Sequence, residues 1–551
     1  MPYKSTYADI TIPDVDLYSL IFEREKLPFP EDHPIFIDEL TRKTYTYAAI
    51  KSAVLQFGQG LKYEFRWRKS DVLCIFSTNN IDYGTICWGT HWVGGVVTPA
   101  NPGYTVDELT FQLKSSKSRC LVTTAELLPV AAPAAAAAGI PKSAIILIGP
   151  TRAQGYRHYT SILDPSAVTH FRRPKLTPSK DLAFIAYSSG TTGVPKGVML
   201  THTNLVTNLL QYGSVEEGYT TWKEDRVVAF LPFFHAYGLT CIMHHAIFRG
   251  LTTVVMPRFD LPKLLGNVQE WKITYLYAVP PVVLLLAKHP LIDKYDLKSL
   301  KYINSGAAPL TSDLIHAVHT RLGVPIKQGY GLSETSPVTH ILPVENALTH
   351  PGGVGRLLPN MEVKYVDEQG NEVPRGERGE VCVRGGNVMI GYLNNVEATK
   401  GCIDKDGFFH TGDIGQEDAD GILFIVDRVK ELIKYKGFQV APAELEGLLL
   451  GHPEVDDVAV AGVYDEGIAS EVPRAYVVLR AGTERSDAKA VEIQEWLAKK
   501  VANYKRLRGG VKWVDAIPKS ASGKILRRVI REEIRKEGEE RKEKELNRAK
   551  L

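Results

Sequence analysis

Residues 187–197 read YSSGTTGVPKG, and the fold turns on whether this loop opens a helix or joins two strands. A phosphate loop of the Walker type needs glycine, four free positions, then glycine, lysine and a hydroxyl residue. Here Pro195 precedes Lys196 where that pattern has glycine, and Gly197 follows it where the magnesium-binding Ser or Thr belongs. The flanks agree. LAFIAY (182–187) reads as a buried strand, and VML (198–200) continues as apolar extended chain before the helical spacing of NLVTNLLQY (204–212). The loop is therefore expected to join two strands. It would hold an anion through backbone N–H groups and hydroxyls, without a helix dipole, glycine supplying the positive φ that this requires. A polar hairpin without a ligand is the alternative, since Ser, Thr and Gly are ordinary turn residues.

On both sides of the loop, strand-like runs (DVLCIFS, VVTPAN, CLVTT, AIILIG, AFIAY, RVVAFLP, TTVVMP) alternate with helical spacing. That alternation predicts α/β layers with much parallel sheet. The low-complexity AAPAAAAAG (131–139) reads as a surface helix with Pro133 in its first turn. From about residue 355 the chain becomes β-rich and glycine-punctuated, as in GNEVPRGERGE (370–380). A domain boundary is expected at 427–430, where charge density rises and a compact α+β pattern begins. The final IREEIRKEGEERKEKELNRAK mixes both signs at helical spacing, as a solvated helix does.

A chain of 551 residues exceeds one hydrophobic core and should divide into at least two domains. With 66 basic and 63 acidic side chains the net charge is +3, which carries no signature of a nucleic-acid binder and favours a small-molecule partner. Six scattered cysteines, with neither a CxxC pair nor zinc spacing, fit a reducing compartment. The N-terminal MPYKSTYADITIPDVDL has acidic residues and prolines where a signal peptide needs a basic start and an apolar core. VPPVVLLLAKHP (279–290) is too short to span a bilayer. The terminal Ala-Lys-Leu is similar to a peroxisomal address, so an import receptor is an expected partner and the peroxisome, otherwise the cytoplasm, the expected location.

Four further polar clusters accompany the loop. SGAAPL (305–310) places small side chains after a strand, letting a flat ligand approach the backbone, although a tight strand-to-helix turn reads the same way. QGYGLSETSPV (328–338) sets Tyr330 between glycines, able to stack on a purine, and follows it with Ser333 and Glu334, which can offer oxygen to Mg2+. HTGD (410–413) ends in an aspartate suited to vicinal ribose hydroxyls, with Arg428 able to complete the grip. PKSASGKILRR (518–528) presents Lys524 in a Ser/Gly-rich turn as a point charge.

Taken in order, NPGYTVDEL (101–109), YSSGTTGVPKGV, LPFFHAYGL (231–239), QGYGLSETSPV, GEVCVRG (379–385), HTGD, DRVKELIKYKGFQVAPAELE (427–446) and PKSASGKILR resemble the adenylate-forming superfamily of acyl-CoA synthetases, in its 4-coumarate–CoA ligase-like branch. The resemblance spans essentially the whole chain. It implies a large N-terminal ATP- and acyl-binding domain (1–426) of layered α/β subdomains with a β-rich subdomain, a hinge at 427–430 pivoting on Lys430, and a small mobile α+β lid (431–551). It also implies a reaction: ATP-dependent conversion of an aryl or medium-chain carboxylic acid to acyl-AMP with loss of pyrophosphate, then transfer to CoA.

By the same resemblance, Ser188, Ser189, Gly190, Thr191, Thr192, Gly193 and Lys196 would hold the β- and γ-phosphates of ATP. Gln328, Gly329, Tyr330, Ser333, Asp413 and Arg428 would complete the nucleotide site, with Thr191 and Glu334 at Mg2+. Lys524 would bridge the carboxylate and the α-phosphate. In the second step the lid would turn its other face inward, carrying Lys434, Lys436, Gly437 and Gln439 to the CoA arm, while the His235 ring moves aside. Tyr237, Gly306, Ala307, Gly331, Pro337 and Val338 match acyl-pocket positions. Ser333 departs from the threonine usual in that branch but keeps the hydroxyl. Fatty acyl-CoA synthesis and luciferase-like oxygenation share the scaffold. A peptide-synthetase adenylation domain would need a carrier protein, and the 27 residues after Lys524 are too few for one. A nucleotide-binding scaffold without catalysis is disfavoured by the presence of Lys524, Glu334, Asp413 and Lys434.

Overall fold

Apolar runs without alternation build the two large sheets, because a strand covered on both faces has no solvent side to mark. All five residues of the strand Val72–Phe76 are buried, as are those of Val96–Ala100. In this computed structural model, residues 2–163, 171–188, 195–428, 431–436, 438–466, 468, 470–520 and 523–549 are described, the side chains of 540–549 excepted. Ser189, Gly190, Thr191, Thr192, Gly193, Lys430, Gly437, Lys550 and Leu551 therefore lie outside the described residues.

The first sheet has eight strands, in the order Gly391–Tyr392, Lys196–Thr201, Leu182–Ser188, Val96–Ala100, Val72–Phe76, Ser118–Thr123, Ile145–Leu147, Arg157–His158. Leu182–Ser188 and Lys196–Thr201 pair antiparallel, Ser188 opposite Lys196, so the glycine-rich loop does connect two strands. The second sheet has nine strands. Its central four, Ile326–Gly331, Tyr302–Ser305, Tyr275–Ala278 and Arg226–Ala229, run parallel and end together. Ligands bind beyond the carboxyl ends of such strands, and here those ends lead into GYGLSE, GAAPL, VPP and LPFFHAYGL. A third, five-stranded sheet carries HTGD on Phe409–Glu417, paired antiparallel with Leu423–Arg428.

The core divides where the charge pattern changes. One cluster of buried side chains runs from Leu17 to Leu423, and a separate one begins at Ile433 and takes in Leu445, Val460 and Val477. Within the first, helix Tyr47–Phe65 crosses helix Tyr83–Trp92 so closely that a Cβ on Gly58 would stand 2.7 Å from the Trp92 ring. Large side chains such as Trp67 and Trp88 are wholly buried there, each worth about 1.5–3 kcal/mol of transfer energy.

The alanine-rich segment differs from expectation. Its helix spans Leu128–Ala137, so Pro133 lies in the interior rather than the first turn, and Ala131, Ala134 and Ala135 are buried instead of surface-facing. The helix starts earlier because Pro129, near its N-terminus, already supplies the proline that a first turn accepts. At the other end, Arg527–Ala549 forms the anticipated charged helix. Among the described residues no helix is long and apolar enough to cross a membrane.

Candidate active site

Four loops at the strand ends, the HTGD turn and the Lys524 turn converge on one recess. Asp413 is its electrostatic centre. Its carboxylate is almost wholly buried, accepting a hydrogen bond from the Tyr330 hydroxyl at 2.6 Å on Oδ2 and another from Arg428 Nε at 3.1 Å on Oδ1. Asp413 and Arg428 are register partners on adjacent strands, so the ion pair follows from the sheet itself. Burial and the neighbouring Asp413 carboxylate hold the Tyr330 phenol well above its ordinary value. Burial works against the Arg428 cation, but Asp413 and Glu431 outweigh it and raise its pKa.

The turn before Asp413 is held from behind. Gly412 takes φ +73°, and its N–H donates to Glu380 Oε1 at 2.9 Å, while Glu380 Oε2 lies 2.9 Å from His410 Nδ1. That contact with Glu380 raises the His410 pKa against the opposing effect of burial. Glu380 and His410 thus brace the backbone on which Asp413 sits.

Glu334 stands at the mouth of the glycine-rich loop. Its Oε1 accepts from Ser188 Oγ at 3.2 Å and from the Tyr392 hydroxyl at 2.9 Å, and the Lys196 ammonium lies 5.1 Å from the centre of the Tyr392 ring. Ser333 and Glu334 open a short 3-10 turn, Ser333–Thr335. The Gln328 side chain is used within the protein. It is buried, with Oε1 accepting from Leu310 N at 3.0 Å and Nε2 donating to Gly353 O at 3.2 Å, so it is a strut beneath the SGAAPL loop.

The wall beside this recess is built from backbone. Tyr237 donates to Asn304 O at 2.9 Å, and a Cβ on Gly306 would stand 3.2 Å from the Tyr237 ring. A Cβ on Gly331 would stand 1.9 Å from Pro337 O, so only glycine fits there. Ala307 adopts φ +72°, a strained value for a residue with a Cβ. Asn208 clamps Val338 through both backbone groups, at 2.7 and 3.1 Å. Tyr237 opens an eight-residue π-helix, Tyr237–His244, a rare form that recurs at functional sites. His235 precedes it, half-buried. Desolvation, with the Lys524 charge second, pushes its pKa down to about 4, so the ring is neutral at physiological pH.

Lys524 reaches this recess from the C-terminal domain. Gly523, at φ +79°, packs against Pro281 and Val279 of the main domain, where an added Cβ would meet them at 3.2 and 3.3 Å. Burial and the Arg428 charge lower the Lys524 pKa to about 8, while Asp413, Glu431 and Glu334 oppose that fall. Lys434 and Gln439 face each other across the hairpin of Ile433–Tyr435 and Phe438–Val440, but they and Lys436 are exposed. Gln439 Nε2 instead contacts Glu368 on the main-domain surface. The structure therefore brings Lys524 to the site and leaves Lys434, Lys436 and Gln439 outside it.

Two family matches cover most of the chain: the AMP-binding enzyme family over residues 22–393 and the AMP-binding enzyme C-terminal domain over 444–524. The chain belongs to the AMP-binding enzyme family. Among relatives, this AMP-binding enzyme is 38% identical to a probable 4-coumarate–CoA ligase 1 of Dictyostelium discoideum, over 96% of this chain and 97% of that protein. Among solved structures it is similar to the anthranilate CoA ligase AuaEII in complex with anthranoyl-AMP (TM-score 0.86, 24% identity, 95% and 98% of the two chains), a likeness of fold. It is also similar to ATP-bound MatB from Rhodopseudomonas palustris (TM-score 0.82, 28% identity, 94% and 98%).

Three contributors to the site of this AMP-binding enzyme escape a reading of its sequence. Tyr392 bridges Glu334 and Lys196, Glu380 braces the HTGD turn, and Asn79 fastens the His235 loop by donating to Ala229 O and Leu231 O and accepting from Phe233 N. Each is buried or half-buried but lies in a mixed polar stretch (STNNID, RGEV and GYLNN), so the local sequence carries no signal that sets it apart.

Proposed function

We propose that this AMP-binding enzyme is an ATP-dependent acid–CoA ligase that works through an acyl-AMP. The observation that supports it best is the convergence of Lys524, Asp413, Arg428 and Glu334 on one recess beside a glycine-lined wall. In the first step a carboxylate oxygen attacks the α-phosphorus of ATP and the bond to pyrophosphate breaks, its electron pair leaving with pyrophosphate. Little covalent work falls to the protein, so catalysis is positioning and neutralisation of charge. Asp413 takes the ribose hydroxyls, Tyr330 the face of the purine, and the loop from Ser188 to Lys196 the leaving phosphates. Lys524 meets the carboxylate and the α-phosphate together. In the second step the CoA sulfur attacks the acyl carbon, the thiol loses its proton, and the bond to AMP breaks. Lys524 has no part in it, and the hairpin bearing Lys434, Lys436 and Gln439 takes its place once the lid has turned.

A hard divalent cation fits the donor set, since Mg2+ takes one or two carboxylates and completes its shell with phosphate oxygens and water. Glu334, braced by Ser188 and Tyr392 at the mouth of the phosphate loop, supplies such a carboxylate. When bound, the ion would neutralise charge on the phosphates.

The acid is proposed to be aryl and 4-coumarate-like, with a medium-chain alkyl acid as the other candidate. The name of the Dictyostelium relative supports the former, and the close backbone approach at Gly306 and Gly331 suits a flat ring. Pyrophosphate release with ATP, Mg2+, CoA and a panel of hydroxycinnamic, benzoic and fatty acids tests this. Release confined to the hydroxycinnamic acids is expected. No acid-dependent release from any of them contradicts the ligase assignment.

The pKa of Lys524 gives the reaction a pH dependence. The amine is charged below about 8 and neutral above, so its attraction for carboxylate and phosphate fades as pH rises through that value. Bound polyanions push the pKa back up. Adenylation measured at low ATP is therefore expected to fall above pH 8, and to fall less at saturating ATP. Lys524→Arg, always charged, should flatten that limb. A limb unchanged by both manipulations contradicts an origin in the Lys524 ammonium.

A further inference from the structure

Arg527 lies three residues beyond Lys524, at the start of the helix Arg527–Ala549. Its side chain is only 10% exposed and every guanidinium nitrogen is engaged. Nη1 and Nη2 form a fork on the Glu446 carboxylate at 2.6 and 2.8 Å, and Nη1 also donates to Val460 O at 2.9 Å. Glu446 belongs to helix Pro442–Leu450 and in turn accepts from Val460 N at 2.7 Å. This fork alone would fix the helix to the lid core, a bidentate pair being the strongest ionic contact available. Nε, however, goes elsewhere: to Glu431 Oε2 at 2.7 Å.

Glu431 directly follows the hinge, its backbone N–H bonded to Arg428 O at 2.9 Å. It is also among the acidic groups whose field reaches Lys524. The Glu431 carboxylate, 13% exposed, is thus ion-paired to Arg527 while its field acts on Lys524 as well. If Glu431 bound the Lys524 ammonium, the charge meant for the acid and the α-phosphate would be spent inside the lid. The turn itself has two ionic feet. Lys519 Nζ holds Asp457 at 2.6 Å on one leg and Arg527 holds Glu431 and Glu446 on the other, while Ser520 N to Lys524 O and Leu526 N to Pro518 O, each 2.8 Å, close it.

The geometry points to Arg527 as a positioning residue for adenylation, which takes up the Glu431 carboxylate so that Lys524 stays free for the acid and the α-phosphate. This rests on the assignment of Lys524 to the first step. It predicts an effect confined to that step, because the second does not use Lys524. It also predicts that removing the Glu431 charge relieves the loss of Arg527, whereas a purely structural Arg527 would be worsened by losing another partner.

The test uses the full chain with Arg527→Gln, Arg527→Lys, the double variant Arg527→Gln/Glu431→Gln, and Lys524→Ala. Each half-reaction is followed separately, as acid-dependent exchange of pyrophosphate into ATP and as thioester formation from supplied acyl-adenylate and CoA. Arg527→Gln is expected to slow exchange about tenfold to a hundredfold, the scale of a misplaced reacting group, and to leave thioester formation within about twofold. Arg527→Lys should fall between, one ammonium serving two carboxylates less well, and the double variant should regain part of the exchange. Equal loss in both half-reactions, unchanged exchange, or a double variant no better than Arg527→Gln overturns the proposal. If Lys524→Ala abolishes exchange while Arg527→Gln leaves it unchanged, positioning alone fails. If Lys524→Ala also leaves exchange intact, the assignment of Lys524 falls and the proposal with it.

Discussion

Lys524→Ala is expected to lower adenylate formation by about a hundredfold to a thousandfold, the usual loss when one preorganised donor to a developing charge is removed. Thioester formation from supplied acyl-adenylate should persist, since Lys524 serves only the first step. The size of the effect follows from where the ammonium sits. Burial and Arg428 lower its pKa to about 8, so the site holds a half-buried charge that an incoming carboxylate and phosphate can neutralise. Alanine leaves those anions facing each other without the charge that bridges them. The separate half-reactions read this directly, and equal loss of both would remove Lys524 from its assigned role.

Asp413→Ala should be nearly as damaging, by another route. Asp413 accepts from Tyr330 and Arg428 at once, so its loss removes the ribose handle and leaves a half-buried guanidinium and a half-buried phenol without their acceptor. Breaking such a pair costs more than the pair contributes, because the remaining charge is uncompensated. kcat/KM for ATP is expected to fall by at least about a hundredfold, equivalent to about 2.7 kcal/mol, with part of that appearing as weaker ATP binding in calorimetry. Asp413→Asn, which keeps the shape and one acceptor, should lose less. Equal ATP affinity in all three proteins would remove Asp413 from the nucleotide site.

Much of this is legible from local chemistry. Pro195 and Gly197 exclude a helix-opening phosphate loop, and the strand pair around residues 188 and 196 follows. The buried parallel strands read as uninterrupted apolar runs, and the shift in charge density near 427 coincides with the start of a second core at Ile433. What is not legible depends on distant partners. His235 and Lys524 are single residues whose roles come only with the resemblance of whole motifs. Asn79 sits 150 residues from the carbonyl of Ala229 that it holds, and Glu380 reaches Gly412 only because two antiparallel strands align. The amide of Gln328 likewise finds its partners far along the chain, at Leu310 and Gly353. Pro133 reads as a first-turn proline although Pro129 satisfies the same rule and is the one the helix uses.

The central claim is that the acid's own oxygen attacks the α-phosphorus in the recess around Lys524. It is tested most directly by supplying a carboxylic acid labelled with heavy oxygen at both carboxyl positions, together with ATP, Mg2+ and CoA, and weighing the nucleotide and phosphate products. One labelled oxygen in AMP for each acyl-CoA formed, with unlabelled pyrophosphate, is the predicted result. Label in inorganic phosphate with ADP as the nucleotide product, or AMP without label, would contradict it.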